Sequence, residues 1–319
     1  MSNRSRLILL SGTTRGLATS LAQSTAHDAG VEVWCDDAAP LHPTLATALH
    51  GAVSVLSPAT VPASLWESLL PVRPLSVLLA AADTVRQGGV AVVDAGDLVA
   101  AGTLVTLPGQ VVRLLDGLLT PSVAAAGGLG GAAALAALVP LRDALVDVDA
   151  VLHDTVTTMR LACRPGDGAT VLAAARTLTM LGVIVDGIAV VRRKNERDQA
   201  AETARRLARR GVAAWTTGRR MRPAPRGCDA VATQDHPPVL RSADLRVEHV
   251  DAGYRLTIPA PVDAVGLEGD ALVIRVAGHL RWLPLPAALA RCHAHAAARR
   301  GAGVEIDFAP DADRWPVTA

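Results

Sequence analysis

Short apolar runs alternate with longer amphipathic segments over the first two thirds of the chain. Apolar runs of strand length occupy residues 7–10, 31–35, 90–93, 159–163, 188–191 and 212–215. Helical spacing of apolar positions occurs at residues 17–29, 75–85, 107–119, 168–180 and 202–210. Residues 40–70 are interrupted by proline and predict irregular structure. Continuous apolar strands separated by helices are typical of a mostly parallel sheet with helices on both faces, so residues 1–221 are predicted to form an α/β domain.

The pattern changes in the last third of the chain. Residues 222–243 are rich in proline and charge and show no period, which predicts a linker. Short apolar strands separated by Gly or Pro then follow at residues 245–250, 254–258, 271–276, 280–283 and 304–308. Residues 244–319 are therefore predicted to form a small antiparallel β domain. An alanine-rich stretch at residues 287–300 is expected to interrupt it as a helix or a loop.

The first predicted strand runs into a turn that contains two glycines. Gly12, Thr13, Thr14, Arg15 and Gly16 stand between strand and helix, where a nucleotide-binding α/β protein has its phosphate loop. The working pattern, G-x-x-x-x-G-K-[ST], puts Lys on the phosphates and a hydroxyl on Mg²⁺. Here the glycines are one residue too close, and leucine and alanine follow the second one. A helix N-terminus attracts phosphate without a lysine, whereas Thr and Gly also form plain helix caps, so the turn alone leaves both interpretations open.

Carboxylates follow two of the predicted strands. Asp94 comes directly after the strand at residues 90–93, and Asp36 and Asp37 follow the strand at residues 31–35. Ligands of parallel sheets bind at the carboxyl ends of the strands, so these side chains are expected at one edge with the glycine turn. A carboxylate at that edge has the chemistry to hold Mg²⁺ beside a phosphate. Asp also commonly caps the loop after a strand, which is the simpler interpretation of each one alone.

Composition limits the partners, the metals and the compartment. Half of the residues are hydrophobic but only 2 % are aromatic, so the core is expected to consist of Ala, Val and Leu. A net charge of +1 gives no reason to expect nucleic acid or an anionic membrane, so membrane contact is expected to be peripheral at most. Four distant cysteines form no C-x-x-C pair and fit a reducing cytoplasm. His293 and His295 do not share a helix face, so no metal site is predicted.

An apolar region lies between the two halves of the α/β pattern. Residues 123–141 are long enough to consider as a membrane span, but they are mostly Ala and Gly and lack the Leu, Ile and Phe of inserted helices. A buried or groove-lining helical segment is therefore favoured. Together with the helix at residues 107–119, this region carries more apolar surface than its polar residues can shield. Such surface marks a binding site for a partner.

The order of these pieces resembles the ArsA-like ATPases, the family of the arsenite-pump ATPase subunit and of the tail-anchored-protein targeting ATPases. Residues 9–22 resemble the family's deviant phosphate loop with its helix, and residues 31–40 its strand with an Asp-Pro-Ala-like turn. Residues 92–108 resemble its switch segment, and residues 159–191 its strand–helix–strand unit. Residues 254–286 resemble the small-heat-shock-like (α-crystallin-like) β-sandwich that is appended to some members.

The resemblance implies a P-loop-NTPase-like domain, but the residues that act on ATP are replaced. Thr13 and Leu17 stand near the places of the family's two lysines, and Ala18 stands at the place of the Mg²⁺-binding threonine. Asp94 is retained, and the cysteine pair that joins some members through zinc is absent. Phosphoryl transfer depends on positioned cations, so efficient hydrolysis is expected to be lost and no bound cofactor is expected.

The sequence therefore predicts an ArsA-like pseudo-ATPase. It would serve as a chaperone-like binding subunit for a hydrophobic client or as a regulatory subunit for a paralogous ATPase. Family members work as dimers across the nucleotide face, which implies a homodimer or a heterodimer with an intact ArsA-like ATPase. The alternative is a weak ATPase of the family, associated with membrane-protein targeting or anion transport, that binds ATP and Mg²⁺. Its degenerate nucleotide site would consist of Gly12, Thr13, Thr14, Arg15, Gly16 and Asp94. A purely structural assembly protein is a third hypothesis.

Overall fold

The computed structural model describes residues 5–35, 40–55, 71–119, 128–218, 240, 245–251, 253–301 and 303–311. The internal contacts divide the chain into two units. The first comprises Met1–Ala175 and Val183–His236, and the second comprises Arg176–Gly182 and Pro237–Ala319. Except for Leu240, the predicted linker at residues 222–243 lies outside the described residues.

A parallel sheet with accompanying helices forms the first unit. In chain order the described elements are β1 (Arg6–Gly12), α1 (Arg15–Ala29), β2 (Val33–Trp34), α2 (Pro43–Val55), α3 (Val72–Arg86), β3 (Val90–Asp97), α4 (Leu98–Leu118), α5 (Gly128–Leu152), β4 (Thr157–Cys163), a 3-10 turn (Pro165–Asp167), α6 (Gly168–Met180), β5 (Ile184–Val191), α7 (Arg197–Arg209) and β6 (Ala214–Thr217). The strand order is β2-β3-β1-β4-β5-β6, and every neighbouring pair is parallel. The predicted α/β class and its mostly parallel sheet are confirmed.

The strand β1 lies at the centre of this sheet between β3 and β4. Its leucines are almost completely buried, as expected for a strand that is covered on both faces. Leu17 and Leu21 of α1 pack with Ile8 and Leu10 of β1 in one core cluster. This packing holds α1 against the strand that precedes it and fixes the turn between them.

The helix α4 begins at Leu98 rather than at residue 107, where the apolar spacing predicted it. Asp97 is its N-cap, since the Asp97 carboxylate accepts hydrogen bonds from the N–H groups of Val99 at 3.1 Å and Ala100 at 2.9 Å. Within the described residues, α4 is the one helix that is long and apolar enough to cross a membrane. More than half of its apolar window is buried in the domain, and the core helix of a folded domain passes the same test.

The prediction of irregular structure at residues 40–70 is wrong for its first part. Residues Pro43–Val55 form α2. Proline is well placed at the first position of a helix, where its missing N–H is not needed. The Nδ1 atom of His42 accepts a hydrogen bond from the N–H of Thr44 at 3.3 Å, which supplies a side-chain cap. Residues 56–70 lie outside the described residues.

The second unit contains two small antiparallel sheets, as the sequence predicts. Its strands are β7 (Arg246–Val250), β8 (Gly253–Ile258), β9 (Ala264–Glu268), β10 (Ala271–Val276), β11 (His279–Pro284), β12 (Cys292–Arg300) and β13 (Gly303–Pro310). The sheet orders are β11-β10-β9 and β12-β13-β8-β7. The interruption predicted at residues 287–300 is wrong over β12, because pairing with β13, which is interrupted at His295, outweighs the helix preference of alanine.

A buried arginine holds backbone carbonyl groups inside the second unit. The side chain of Arg281 is only 7 % exposed. Its Nη1 atom donates hydrogen bonds to the carbonyl oxygens of Met180, at 3.1 Å, and of Leu240, at 2.5 Å. A buried charge is tolerated where such hydrogen bonds replace its hydration, so Arg281 joins the ends of two segments that are distant in sequence.

Candidate functional site

The turn between β1 and α1 is short and closed. Only Thr13 and Thr14 separate the end of β1 from the start of α1. A Cβ atom built on Gly12 would lie 3.0 Å from the backbone nitrogen of Ala18, 3.0 Å from the Cβ of Leu17 and 3.1 Å from the carbonyl oxygen of Ala162. The helix therefore starts directly against the strand, and no side chain larger than hydrogen fits at Gly12 unless the backbone around it moves.

Thr13 is tied to the neighbouring strand rather than presented to a ligand. Its N–H donates to the carbonyl oxygen of Ala162 at 2.8 Å. Its hydroxyl donates to Oδ2 of Asp167 at 2.8 Å, and the same oxygen accepts from the N–H of Arg164 at 3.3 Å. The amide and the hydroxyl with which a phosphate loop would bind an anion are thus used within the protein.

Asp94 lies beside β1 and contacts α1. It is paired in register with Leu10, and its Oδ2 atom accepts a hydrogen bond from the hydroxyl of Thr19 at 2.7 Å. Its Oδ1 atom accepts from the N–H of Gly96 at 3.0 Å. The φ of Gly96 is 73°, a conformation that glycine adopts at no steric cost and that turns this N–H back towards the carboxylate. P-loop NTPases hold Mg²⁺ between a threonine or serine hydroxyl and an aspartate, and here these two groups contact one another directly.

A cavity of about 480 Å³ opens at the carboxyl ends of β1, β2 and β3. This volume is within the range of small-molecule sites. Its charged lining consists of the guanidinium of Arg15 and the carboxylates of Asp94 and Asp97. The remaining lining is mainly apolar and comes from Cys35, Pro71, Pro74, Ala95, Gly96, Val99, Ala100, Thr103, Leu104 and Leu107. Within the cavity, two carboxylates stand against one guanidinium, so its charged lining is net negative.

The structure brings the predicted turn and Asp94 together at one edge of the sheet, as the parallel topology required. Gly16 lies in the first turn of α1, and a Cβ atom built there would meet nothing within 4 Å. Asp36 and Asp37 lie outside the described residues. The pairing of Thr19 with Asp94 was not predicted from the sequence, and neither was the role of Asp167 as the partner of Thr13. The position of Asp167 directly before a helix was the one available signal, since Asp is a preferred N-cap.

No model of a known protein family matches the chain, and no curated protein matches it. The ArsA-like resemblance stays a prediction.

The described residues contain no group of three or more His, Cys, Asp and Glu side chains that could hold a metal ion. The sequence argument about His293 and His295 assumed a helix, and that assumption is wrong. Both residues lie in β12, where alternate residues share a face. A register shift between Ala294 and Ala296 interrupts the pairing of β12 with β13 at His295.

Two titratable groups of the sheet have shifted pKa values. Burial raises the pKa of the Asp186 carboxyl above its usual range, and the guanidinium of Arg160 at 3.0 Å acts against this shift. Burial raises the pKa of the Cys163 thiol to about 12, and the carboxylate of Asp167 acts in the same direction. Cys163 is therefore an unreactive core thiol rather than a nucleophile.

The helices α4 and α5 present an apolar face. The Nε atom of Arg142 on α5 lies 2.9 Å from Oδ1 of Asp116 on α4, and Asp149 lies beside Gly109, so the helices are antiparallel. Some of the apolar side chains that were predicted at helical spacing in α4 are buried, and others are exposed. Val99 at the start of α4 is 71 % exposed. Four further exposed apolar side chains of the pair, which we call the apolar ridge, are Leu114 (54 %), Leu118 (39 %), Val139 (41 %) and Val146 (39 %).

Proposed function

We propose that the chain is a non-hydrolytic, ArsA-like protein of the cytoplasm that binds a hydrophobic segment of a client or of a paralogous ATPase. The closed turn between β1 and α1 is the observation that carries the proposal. The groups that would act on Mg²⁺-ATP are engaged with one another, and no lysine stands at the turn to replace them.

Electrostatics supports the loss of hydrolysis. Catalysis of phosphoryl transfer requires cations placed where negative charge develops. In the lining of the cavity Asp94 and Asp97 outnumber Arg15, so a triphosphate that entered it would meet two carboxylates. Placing Mg²⁺ between Thr19 and Asp94 would require their 2.7 Å hydrogen bond to break first. The fold thus serves as a scaffold in this proposal, and its binding surface lies elsewhere.

The apolar ridge is the surface that we assign to the hydrophobic segment. Exposed apolar residues are ordinary when scattered, but α4 carries Leu114 and Leu118 one helical turn apart, and α5 carries Val139 and Val146 two turns apart. An amphipathic or apolar helix laid along either pair would cover its apolar side chains in the way that helices enter grooves of peptide-binding proteins.

Nucleotide binding tests the first half of the proposal. Calorimetry with ATP and Mg²⁺, together with a phosphate-release assay, is expected to give neither saturable binding nor turnover above that of Asp94→Asn. The Thr19→Val variant is the matched control, because it removes the hydroxyl and keeps the shape. Micromolar binding with turnover that both variants abolish would contradict the proposal.

Peptide binding tests the second half. The probe is a fluorescent, leucine-rich helical peptide of about 20 residues, the length of a membrane-spanning segment. The double variant Leu114→Glu/Val146→Glu is expected to weaken its binding about ten-fold or more, since each side chain buries apolar area worth roughly 1 kcal/mol. Leu267→Glu, a change at a 40 % exposed leucine of the second unit, is the matched control. Equal affinity of both variants and the wild type for the peptide would exclude the apolar ridge as its binding site.

A weak ATPase is the second candidate. The contact between Thr19 and Asp94, with Arg15 lining the same cavity, supports it, because a hydroxyl, a carboxylate and a cation are the components of a nucleotide site. The phosphate-release assay above separates the two candidates. Sedimentation of the chain alone and with a paralogous ATPase tests whether it works as a homodimer or as a regulatory subunit of a heterodimer.

A further inference from the structure

One segment of the first unit is strongly basic, although the chain as a whole carries a net charge of only +1. Residues 192–210, which we call the basic segment, contain eight basic and three acidic side chains. The rest of the protein is therefore net negative. The small net charge of the whole chain therefore hides an uneven distribution of charge between the basic segment and the rest of the protein.

The basic side chains of this segment lie on the surface of the first unit. The helix α7 follows β5 and precedes β6, and its side chains Ala200, Thr203, Ala204 and Leu207 are buried. The opposite face of α7 carries Arg205, Arg206 and Arg209, which are neighbours at helical spacing. All three are exposed, as are Arg193 and Lys194 in the loop before the helix.

A single carboxylate stands among these arginines. Glu202 lies 2.7 Å from Nη1 of Arg205 and 3.0 Å from Nε of Arg206. Its pKa is lowered by its hydrogen bond from Arg206 and by the charges of Arg205 and Arg209. The side chains of Arg205 and Arg206 remain 62 % and 74 % exposed. One carboxylate among three guanidinium groups leaves the end of the helix positive.

Favourable interaction with the helix dipole explains only part of this arrangement. Cations at the last turn of a helix stabilise it, which accounts for Arg206 and Arg209. It does not account for Arg192, Arg193 and Lys194, which precede the helix. Positive charge therefore lies beyond both ends of α7, and a helix of 13 residues is roughly 20 Å long.

We propose that the basic segment attaches the protein to a membrane surface that contains anionic phospholipids. The electrostatic potential of such a surface extends over about one Debye length, roughly 8 Å in physiological salt. Over that distance the membrane attracts the basic segment through its net positive charge, and the few carboxylates within the segment do not cancel the attraction. Recognition of individual nucleic-acid phosphates requires guanidinium groups that are not already engaged, whereas Arg205 and Arg206 are paired with Glu202. Residues 192–210 also contain no Phe, Trp or Tyr on which bases would stack.

Vesicle binding of the full chain tests the proposal. The probes are vesicles of phosphatidylcholine alone and vesicles of phosphatidylcholine mixed with phosphatidylserine, each at about 0.1 M and about 1 M salt. Binding is expected with the anionic vesicles at low salt, with little at high salt or with the neutral vesicles. The variant Arg205→Gln/Arg206→Gln/Arg209→Gln is expected to bind about 100-fold more weakly, because each basic residue near the surface contributes roughly a five-fold change.

The control is a variant that loses the same number of positive charges from another part of the protein. Arg246→Gln/Arg275→Gln/Arg291→Gln removes three exposed arginines of the second unit and is expected to keep most of the vesicle binding. Circular dichroism checks that both variants are folded. Equal loss of binding in the two variants, or equal binding to neutral vesicles, would overturn the proposal. Tighter binding to random duplex DNA or to polyglutamate than to the anionic vesicles would assign the surface to another partner and would also overturn it.

Discussion

Replacing Gly12 with alanine tests directly whether the turn between β1 and α1 is closed. The added methyl group would lie 3.0 Å from the nitrogen of Ala18 and 3.1 Å from the carbonyl oxygen of Ala162. Both of these partners are backbone atoms of regular elements and cannot rotate away. The third contact, at 3.0 Å, is with the Cβ of Leu17, which is also fixed by its helix. The methyl group is therefore accommodated only if α1 moves away from the sheet.

The size and the sign of the effect follow from these distances. Overpacking of this kind costs about 1–3 kcal/mol, and each kcal/mol lowers Tm by about 2–4 °C in a domain of this size, so a fall of about 2–12 °C is expected. Gly16→Ala is the matched control in the same turn. A Cβ atom there meets nothing within 4 Å, and alanine in a helix is more stable than glycine by about 0.5–1 kcal/mol. The two identical substitutions should thus shift the stability in opposite directions.

Thermal unfolding and urea unfolding, each followed by circular dichroism, measure both effects. The α-helices described above all begin in the first unit, so the helical signal reports its unfolding. The wild type, Gly12→Ala and Gly16→Ala are compared at one pH. An unchanged midpoint for Gly12→Ala, together with a lower midpoint for Gly16→Ala, would refute this reasoning, because the turn would then have room for a methyl group at Gly12 and none at Gly16.

Three further predictions concern buried groups. Arg281→Ala should lower the free energy of unfolding by about 2–4 kcal/mol in urea titrations, because two buried carbonyl groups lose their donor; Arg281→Lys, which keeps one charged donor, should lose less. Because the pKa of Asp186 is raised in the folded state, its protonated form is favoured there, and its contribution to stability should fall as the pH rises from about 3.9 through the raised value. Asp186→Asn should remove that part of the pH dependence in urea titrations between pH values of roughly 4 and 7, and an identical slope in both proteins would contradict the prediction. Alkylation at pH 8 followed by peptide mass mapping should modify Cys35, which is partly exposed, long before Cys163, whose pKa is about 12; urea should remove the difference.

The parts of the fold that the sequence predicted are those in which periodicity and burial agree. Residues 7–10 of β1 and 90–93 of β3 are continuous apolar runs that are mostly buried, so burial on both faces left a clear signal. The errors arose where local preference and tertiary contacts disagree. The strand β12 consists largely of alanine and arginine, which favour helices, and it exists because β13 supplies its hydrogen bonds. The start of α4 was also missed, although Asp97 before it is a preferred N-cap residue.

The candidate site could be predicted only in outline. Parallel strands place their carboxyl ends together, so the nearness of the glycine turn to Asp94 followed from the sheet alone. The contacts that define the chemistry did not follow. The partner of Asp94 is 75 residues away in sequence and the partner of Thr13 is 154 residues away. Hydrogen bonds between residues so far apart in sequence depend on how α1 packs against the sheet. The spacing of residues along the chain does not predict that packing.

The central position of β1 has a consequence for the order in which the protein is assembled. It is the first strand to be synthesised, yet its two neighbours are β3 and β4, which come more than 70 and more than 140 residues later. At a synthesis rate of about 5–20 residues per second, this buried central strand waits roughly 10–30 s for its second neighbour. During that time its edge is open to pairing with other nascent chains. Among the described strands of this sheet, β1 thus stays without a complete set of neighbours for the longest part of translation.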